Sequence, residues 1–209
     1  MHQTPLAFAL AGAAMGLSAG ISPGPLLTLV LSQTLAHGSR EGIKTALAPL
    51  VTDAPILLAA WLVLSRLSGS PAVLGVVALA GACLLARYGY ECLKALPVPP
   101  DRPPGAPRSL ARGVAANFAN PHPYLFWTTI GVPMLLDAAG SGPGAVASFL
   151  AVFYAAIVGA KVLVAVLAGR FRRFCGSRSY RILMIVLGMV LLYYALAFFR
   201  QGVSMLRGA

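Results

Sequence analysis

Residues 1–39, MHQTPLAFALAGAAMGLSAGISPGPLLTLVLSQTLAHGS, contain no Asp, Glu, Lys or Arg. As one α-helix they would extend about 58 Å at 1.5 Å per residue, against a hydrocarbon core about 30 Å thick. The run is therefore apolar enough for a membrane and too long for one straight helix. Ser22-Pro23-Gly24-Pro25 is where it breaks. Each proline lacks an N–H and clashes with the carbonyl four residues back, here Ala19 and Ile21. Gly24 frees the backbone between them. Ser22 as N-cap and Pro23 as first helical residue predict the start of a second half-helix.

The rest of the chain repeats the pattern. Residues 67–86, 113–136, 138–160 and 182–199 also lack charges, and only 10% of the 209 residues are charged while 58% are hydrophobic. Soluble domains run nearer a quarter charged. A soluble enzyme, a disordered chain and a disulfide scaffold are excluded by this composition. Cys83, Cys92 and Cys175 have no metal or redox spacing. Six hydrophobic segments are predicted, at about 6–36, 43–65, 71–94, 113–136, 143–169 and 180–200. They must be helices, because backbone polar groups find no water in lipid. Residues 1–6 carry no Lys or Arg and apolar sequence resumes at Leu26, which predicts a retained first span instead of a cleaved leader.

The net charge of +11 would suit nucleic acid only if the basic residues shared one face. They lie between the apolar runs instead. Arg40, Lys44, Arg87, Lys94, Arg102, Arg108, Arg112, Arg170, Arg172, Arg173, Arg178 and Arg181 fall in or beside alternate connections, while only Arg66, Arg200 and Arg207 fall on the other side. The positive-inside bias then puts both termini outside the cytoplasm and predicts no nucleic-acid partner.

Asn120-Pro121-His122-Pro123 interrupts the fourth span as the first is interrupted, with Asn117 and Ala119 as the freed carbonyls. Each half of the chain thus has a proline-broken span followed by two more. The fold class expected is an all-α membrane protein of six transmembrane helices, built as two inverted three-helix repeats with proline-broken first and fourth helices. The repeats are 1–96 and 112–209, joined by a Pro-rich cytoplasmic linker at 97–111 that contains PVPPDRPPGAP. The half-helix N-termini around Leu26–Thr28 and Tyr124–Phe126 would favour an anionic group such as a carboxylate.

Gly20 to Pro25, the Asn120-Pro121 pair, the six spans and the central hydrophilic loop together resemble the LysE/RhtB family of amino-acid exporters, over nearly the whole chain. The resemblance implies a bacterial inner-membrane protein that exports amino acids or related small zwitterions by exchange with protons. Members often carry a lysine after the Asn-Pro pair. Here His122 and Pro123 follow it, so no fixed positive charge is carried over to that position.

Asp53 is the only acid well inside an apolar segment, flanked by Pro49 and Pro55. It reads as a proton carrier or a site for a substrate amino group, against a purely structural hydrogen-bonding role. Lys161 either snorkels to an interface or faces the interior, where it pairs with Asp53 or an anionic substrate. Asn117, Asn120 and His122 either satisfy backbone freed by the prolines or touch substrate. The expected transport residues are thus Ser22, Pro23, Gly24, Pro25, Asp53, Asn117, Asn120, Pro121, His122 and Lys161. Trp61, Trp127 and the tyrosines are expected to include interfacial belt residues. Gly12, Gly16 and Gly20 recur every four residues and fit either an internal helix contact or a homodimer. No metalloprotease signature, nucleophile elbow or acid dyad is present, so no enzyme, cofactor or metal is expected. A passive channel or a structural membrane subunit is the alternative to an exporter.

Overall fold

The computed structural model describes residues 4–66, 71–94, 107–172 and 177–207. Helix α1 (Pro5–Ile21) and helix α2 (Pro25–His37) meet at a bend of 59°. After Gly38, at φ 95°, come α3 (Ser39–Ala46) and α4 (Ala48–Arg66), jointed at Leu47 two residues before Pro49. Helix α5 (Pro71–Lys94) follows. The fourth apolar run is α6 (Ser109–Phe118), α7 (Pro121–Phe126), a π turn (Trp127–Gly131) and α8 (Val132–Gly140). The long helices α9 (Pro143–Arg172) and α10 (Ser177–Arg207) complete the chain. The linker expected at 97–111 lies outside the described residues as far as 106, and the chain is helical again from Ser109.

Ser39–Trp61, Gly75–Lys94, Pro143–Phe171 and Arg178–Arg207 are each long and apolar enough to cross a membrane, and the bent α1–α2 pair makes a fifth crossing if taken as one span. The chain is a multi-pass, all-α membrane protein. Large apolar side chains such as Leu10, Leu17, Leu163, Ile182, Met189 and Leu196 lie exposed along these helices, as they must where lipid is the solvent.

Two close helix pairs organise the packing. Helix α1 lies on α9, because Gly12, Gly16 and Gly20 let the backbones touch. A methyl on Gly12 would stand 2.6 Å from the Phe149 carbonyl oxygen, and one on Gly20 2.7 Å from Ala160 Cβ. Gly16 meets Phe153, so residue numbers rise together along both helices and the pair is parallel. The glycine stripe is therefore an internal contact, and α9 leaves it closed to a second copy. Helix α5 lies on α10 in the opposite sense. A methyl on Gly89 would be 3.0 Å from the Gly188 oxygen, and one on Gly188 2.9 Å from the Gly89 oxygen. Gly75 and Gly202 repeat this exchange, at 3.1 and 2.8 Å. Helices without large side chains at the contact gain van der Waals packing that apolar lipid would not otherwise drive.

On one side of the bundle, polar bonds tie the halves together. Arg112 on α6 reaches Glu91 on α5 at 2.7 Å, and Glu91 also pairs with Arg87 at 3.3 Å, the helix-surface pair their spacing predicts. Nearby, Ser109 Oγ donates to Gln33 Oε1 at 2.9 Å, and Thr45 Oγ1 donates to the Ser109 carbonyl at 3.2 Å.

Candidate functional site

The first break forms two residues later than the capping pattern predicts. Ser22 ends α1, its N–H donating to Ser18 O at 3.0 Å, and α2 begins at Pro25 with Gly24 as N-cap. Pro25 disfavours helical geometry in the residue before it, and Gly24 is extended at φ −137°, ψ 176°. A helix starting at Pro23 would have to run through Gly24. Thr28 N–H already bonds the Gly24 carbonyl at 2.9 Å, so Leu26 and Leu27 carry the first-turn N–H groups that lack a helical partner.

The break strands carbonyls at the end of α1, and Lys161 on α9 takes two of them. Its Nζ donates to Ala19 O at 2.9 Å and Gly20 O at 3.1 Å. Lys161 is 4% exposed. It does not snorkel and makes no contact ion pair among the described residues; it caps a helix C-terminus, where the dipole favours a cation. The Tyr194 hydroxyl of α10 donates to Pro23 O.

The second break keeps the predicted start. Asn120 Oδ1 accepts from His122 N–H at 3.0 Å and α7 begins at Pro121. His122 is helical despite preceding Pro123, and the Asn120 cap holds it there. Of the carbonyls around this break, Phe118 O accepts from Tyr124 OH at 3.0 Å and Asn117 O from Asn120 N–H at 3.2 Å. Ala119 O lies against Gly81 of α5, where a side chain would collide with it.

Asp53, 4% exposed on α4, joins the two halves. Asn117 Nδ2 donates to Asp53 Oδ1 at 3.2 Å and to Thr52 Oγ1 at 2.6 Å. The Thr52 hydroxyl lies 3.3 Å from Asp53 Oδ1 and 3.0 Å from Ala48 O, and its one hydrogen serves either. The Trp127 side chain lines the same cavity as the carboxylate. A carboxylate has about four acceptor positions, so capacity remains for a proton or an ammonium group.

Both breaks, Asp53 and Lys161 open onto one cavity of about 370 Å³. Of the residues expected to carry transport, all but Pro121 line it; Pro121 is buried at the start of α7. Asp53 and Lys161 face the space without a contact ion pair between them among the described residues.

Sequence reasoning missed the wall of this cavity. Trp127 is 1% exposed, a core residue and not a belt residue. It meets Phe126 at 5.3 Å and Phe153 at 5.5 Å, both near edge-on, while Phe126 and Phe153 stack at 5.4 Å and 10°. The available signal was Trp127 four residues before Gly131 and six before Pro133. Pro133 supplies no N–H to the Thr129 carbonyl, and the helix widens into a π turn there, a device frequent at functional sites. Gly131 leaves room for the Trp127 ring. Thr128 and Thr129 hydroxyls donate to the carbonyls of Tyr124 and Leu125, at 2.8 and 2.7 Å.

Among the described residues no group of three His, Cys, Asp or Glu side chains could hold a metal ion. Residues 17–202 match the sequence model of the LysE type translocator family. No curated protein and no solved structure matches the chain.

Proposed function

The chain belongs to the LysE type translocator family and is thus a membrane transport protein; from that premise we propose that it exports amino acids or similar small zwitterions from the bacterial cytoplasm in exchange for protons. The observation that carries this reading is the single cavity onto which both helix breaks, Asp53 and the α2 N-terminus open. A zwitterion needs two complementary ends, and the cavity offers them. The substrate ammonium would meet Asp53, and its carboxylate would meet the Leu26 and Leu27 N–H groups at the positive end of α2. Proton and ammonium compete for the same buried carboxylate. A carrier that must neutralise Asp53 with one or the other links inward proton flow to outward substrate flow.

Alternating access would come from two inverted three-helix repeats, with the fourth run as a sixth crossing. The run directions support this. Helices α9 and α10, joined by only four residues, must run oppositely if both cross. Helix α5 is antiparallel to α10 and hence parallel to α9, so residues 95–142 have to bring the chain back across the membrane. The reciprocal Gly75–Gly202 and Gly89–Gly188 contacts are what a two-fold relation between α5 and α10 requires. The loop charges then favour an inner-membrane orientation with both termini outside.

The test is uptake by inside-out vesicles carrying the purified chain, with a panel of labelled amino acids and an imposed pH gradient of either sign. Gradient-dependent accumulation of at least one amino acid is expected. Flux that ignores the gradient would favour the passive channel, and no flux of any amino acid would end the exporter reading.

A further inference from the structure

The cavity's charges balance before any substrate enters. Among the described residues, the ionisable side chains lining it are Asp53, Lys161, His122 and Tyr194, which supply one acid and one permanent cation. The cation is already committed, because Lys161 holds the Ala19 and Gly20 carbonyls at 2.9 and 3.1 Å. If a substrate ammonium occupies Asp53, a second positive charge on the substrate finds no acid. A second negative charge finds no permanent cation unless Lys161 abandons α1. Either excess charge would sit uncompensated in a low-dielectric space, which is strongly unfavourable.

The shape of the space says what the neutral remainder looks like. Trp127 lines the cavity together with Asp53 and meets Phe126 and Phe153 with its ring. The apolar wall therefore shares the cavity with the acid and continues to Ile157. An amino acid whose ammonium sits on Asp53 lays its side chain along that wall. The volume of about 370 Å³ is within the range of ordinary small-molecule pockets, about 300–1,000 Å³. A methyl side chain would leave most of the aromatic surface without partner atoms, whereas a ring or branched chain would bury it.

We infer that the cavity selects net-neutral amino acids with a large apolar side chain, aromatic or branched aliphatic, and that Phe126 is a residue that sets this preference. The inference rests on the exporter reading above and narrows it. Phe126 is half-buried between the cavity and the stack, so it can be shortened with less damage than Trp127 or Phe153, both 1% exposed.

Counterflow in reconstituted vesicles tests this without depending on a proton gradient. Labelled phenylalanine, leucine, alanine, lysine and glutamate are each offered to vesicles preloaded with the same unlabelled compound. Phenylalanine and leucine should exchange about tenfold or more faster than alanine at low concentration, since each methylene in an apolar pocket is worth roughly tenfold or more. Lysine and glutamate should remain at the level of empty vesicles. Phe126→Ala should lower the phenylalanine-to-alanine ratio at least about fivefold, and Ile157→Ala gives the same readout if Phe126→Ala does not insert. Lysine or glutamate exchanging as fast as phenylalanine, alanine matching it, or a ratio unmoved by both variants would overturn the selectivity while leaving the exporter intact. Exchange of none of the five would remove the exporter reading and the selectivity with it.

Discussion

Lys161 Nζ donates to the carbonyl oxygen of Ala19, 142 residues earlier in the chain, at 2.9 Å. The bond explains how a charge survives in a segment that is otherwise uncharged from 138 to 169. The helix break needs a donor as much as the ammonium needs acceptors. A lone buried cation and a lone frayed helix end would each be costly; together they satisfy one another.

Lys161→Met should therefore lower stability without disturbing the rest of the wall. Two buried acceptors lose their donor, at about 1–3 kcal/mol each, and the thermal midpoint in detergent should fall by several degrees. A variant as stable as the parent would mean that water or another side chain takes over both carbonyls.

Asp53→Asn keeps the size of the side chain and removes the titrating group. It should leave a folded, membrane-inserted protein that binds substrate more weakly and no longer exports it against a gradient. The comparison is gradient-driven transport at matched protein levels. Normal pH-dependent export by this variant would move the proton carrier elsewhere.

The glycine stripe on α1 predicts a sharp positional contrast. Gly12→Val puts side-chain atoms into the Phe149 backbone, where even a methyl would lie 2.6 Å from the oxygen; overpacking of this kind costs about 1–3 kcal/mol or more. Gly140→Val meets nothing within 4 Å and should change stability by less than about 0.5 kcal/mol. Thermal unfolding of the two variants side by side reads the difference, and equal stability would sink the close α1–α9 contact.

Much of this was legible, and for a common reason. The breaks at Ser22–Pro25 and Asn120–Pro123, Asp53 and Lys161 are departures from an apolar background, and departures carry information. Phe126, Trp127 and Phe153 are apolar residues among apolar residues, so nothing local separates a cavity wall from a lipid-facing surface or a packed core. The partner of Lys161 was hidden for a different reason: its acceptors are backbone atoms of Ala19 and Gly20, which no residue identity advertises. Ser22 misled because the effect of Pro25 on Gly24 outweighs the capping preference of a serine.

Direction across the bundle is open to chemical test. In a background with Cys83, Cys92 and Cys175 replaced by alanine, Gly140→Cys should react with an impermeant thiol reagent from outside and Ser179→Cys only after the membrane is opened. Both positions are exposed and flank opposite ends of α9. The reverse pattern would invert the orientation, and labelling of both from one side would remove the odd number of crossings between them.

The long reach of Lys161 also sets a schedule for biosynthesis. At about 5–20 residues per second, a ribosome needs roughly 7–28 s after completing Gly20 before Lys161 exists. During that interval the nascent first span holds its stranded carbonyls with no native donor, and neither α9 nor Tyr194 is there to hold the bend. The insertion machinery, or water at its mouth, has to serve as the temporary partner. A nascent chain arrested shortly before residue 161 should consequently be extracted from membranes more readily than one arrested after residue 200, and equal resistance would show that the early span closes its own break.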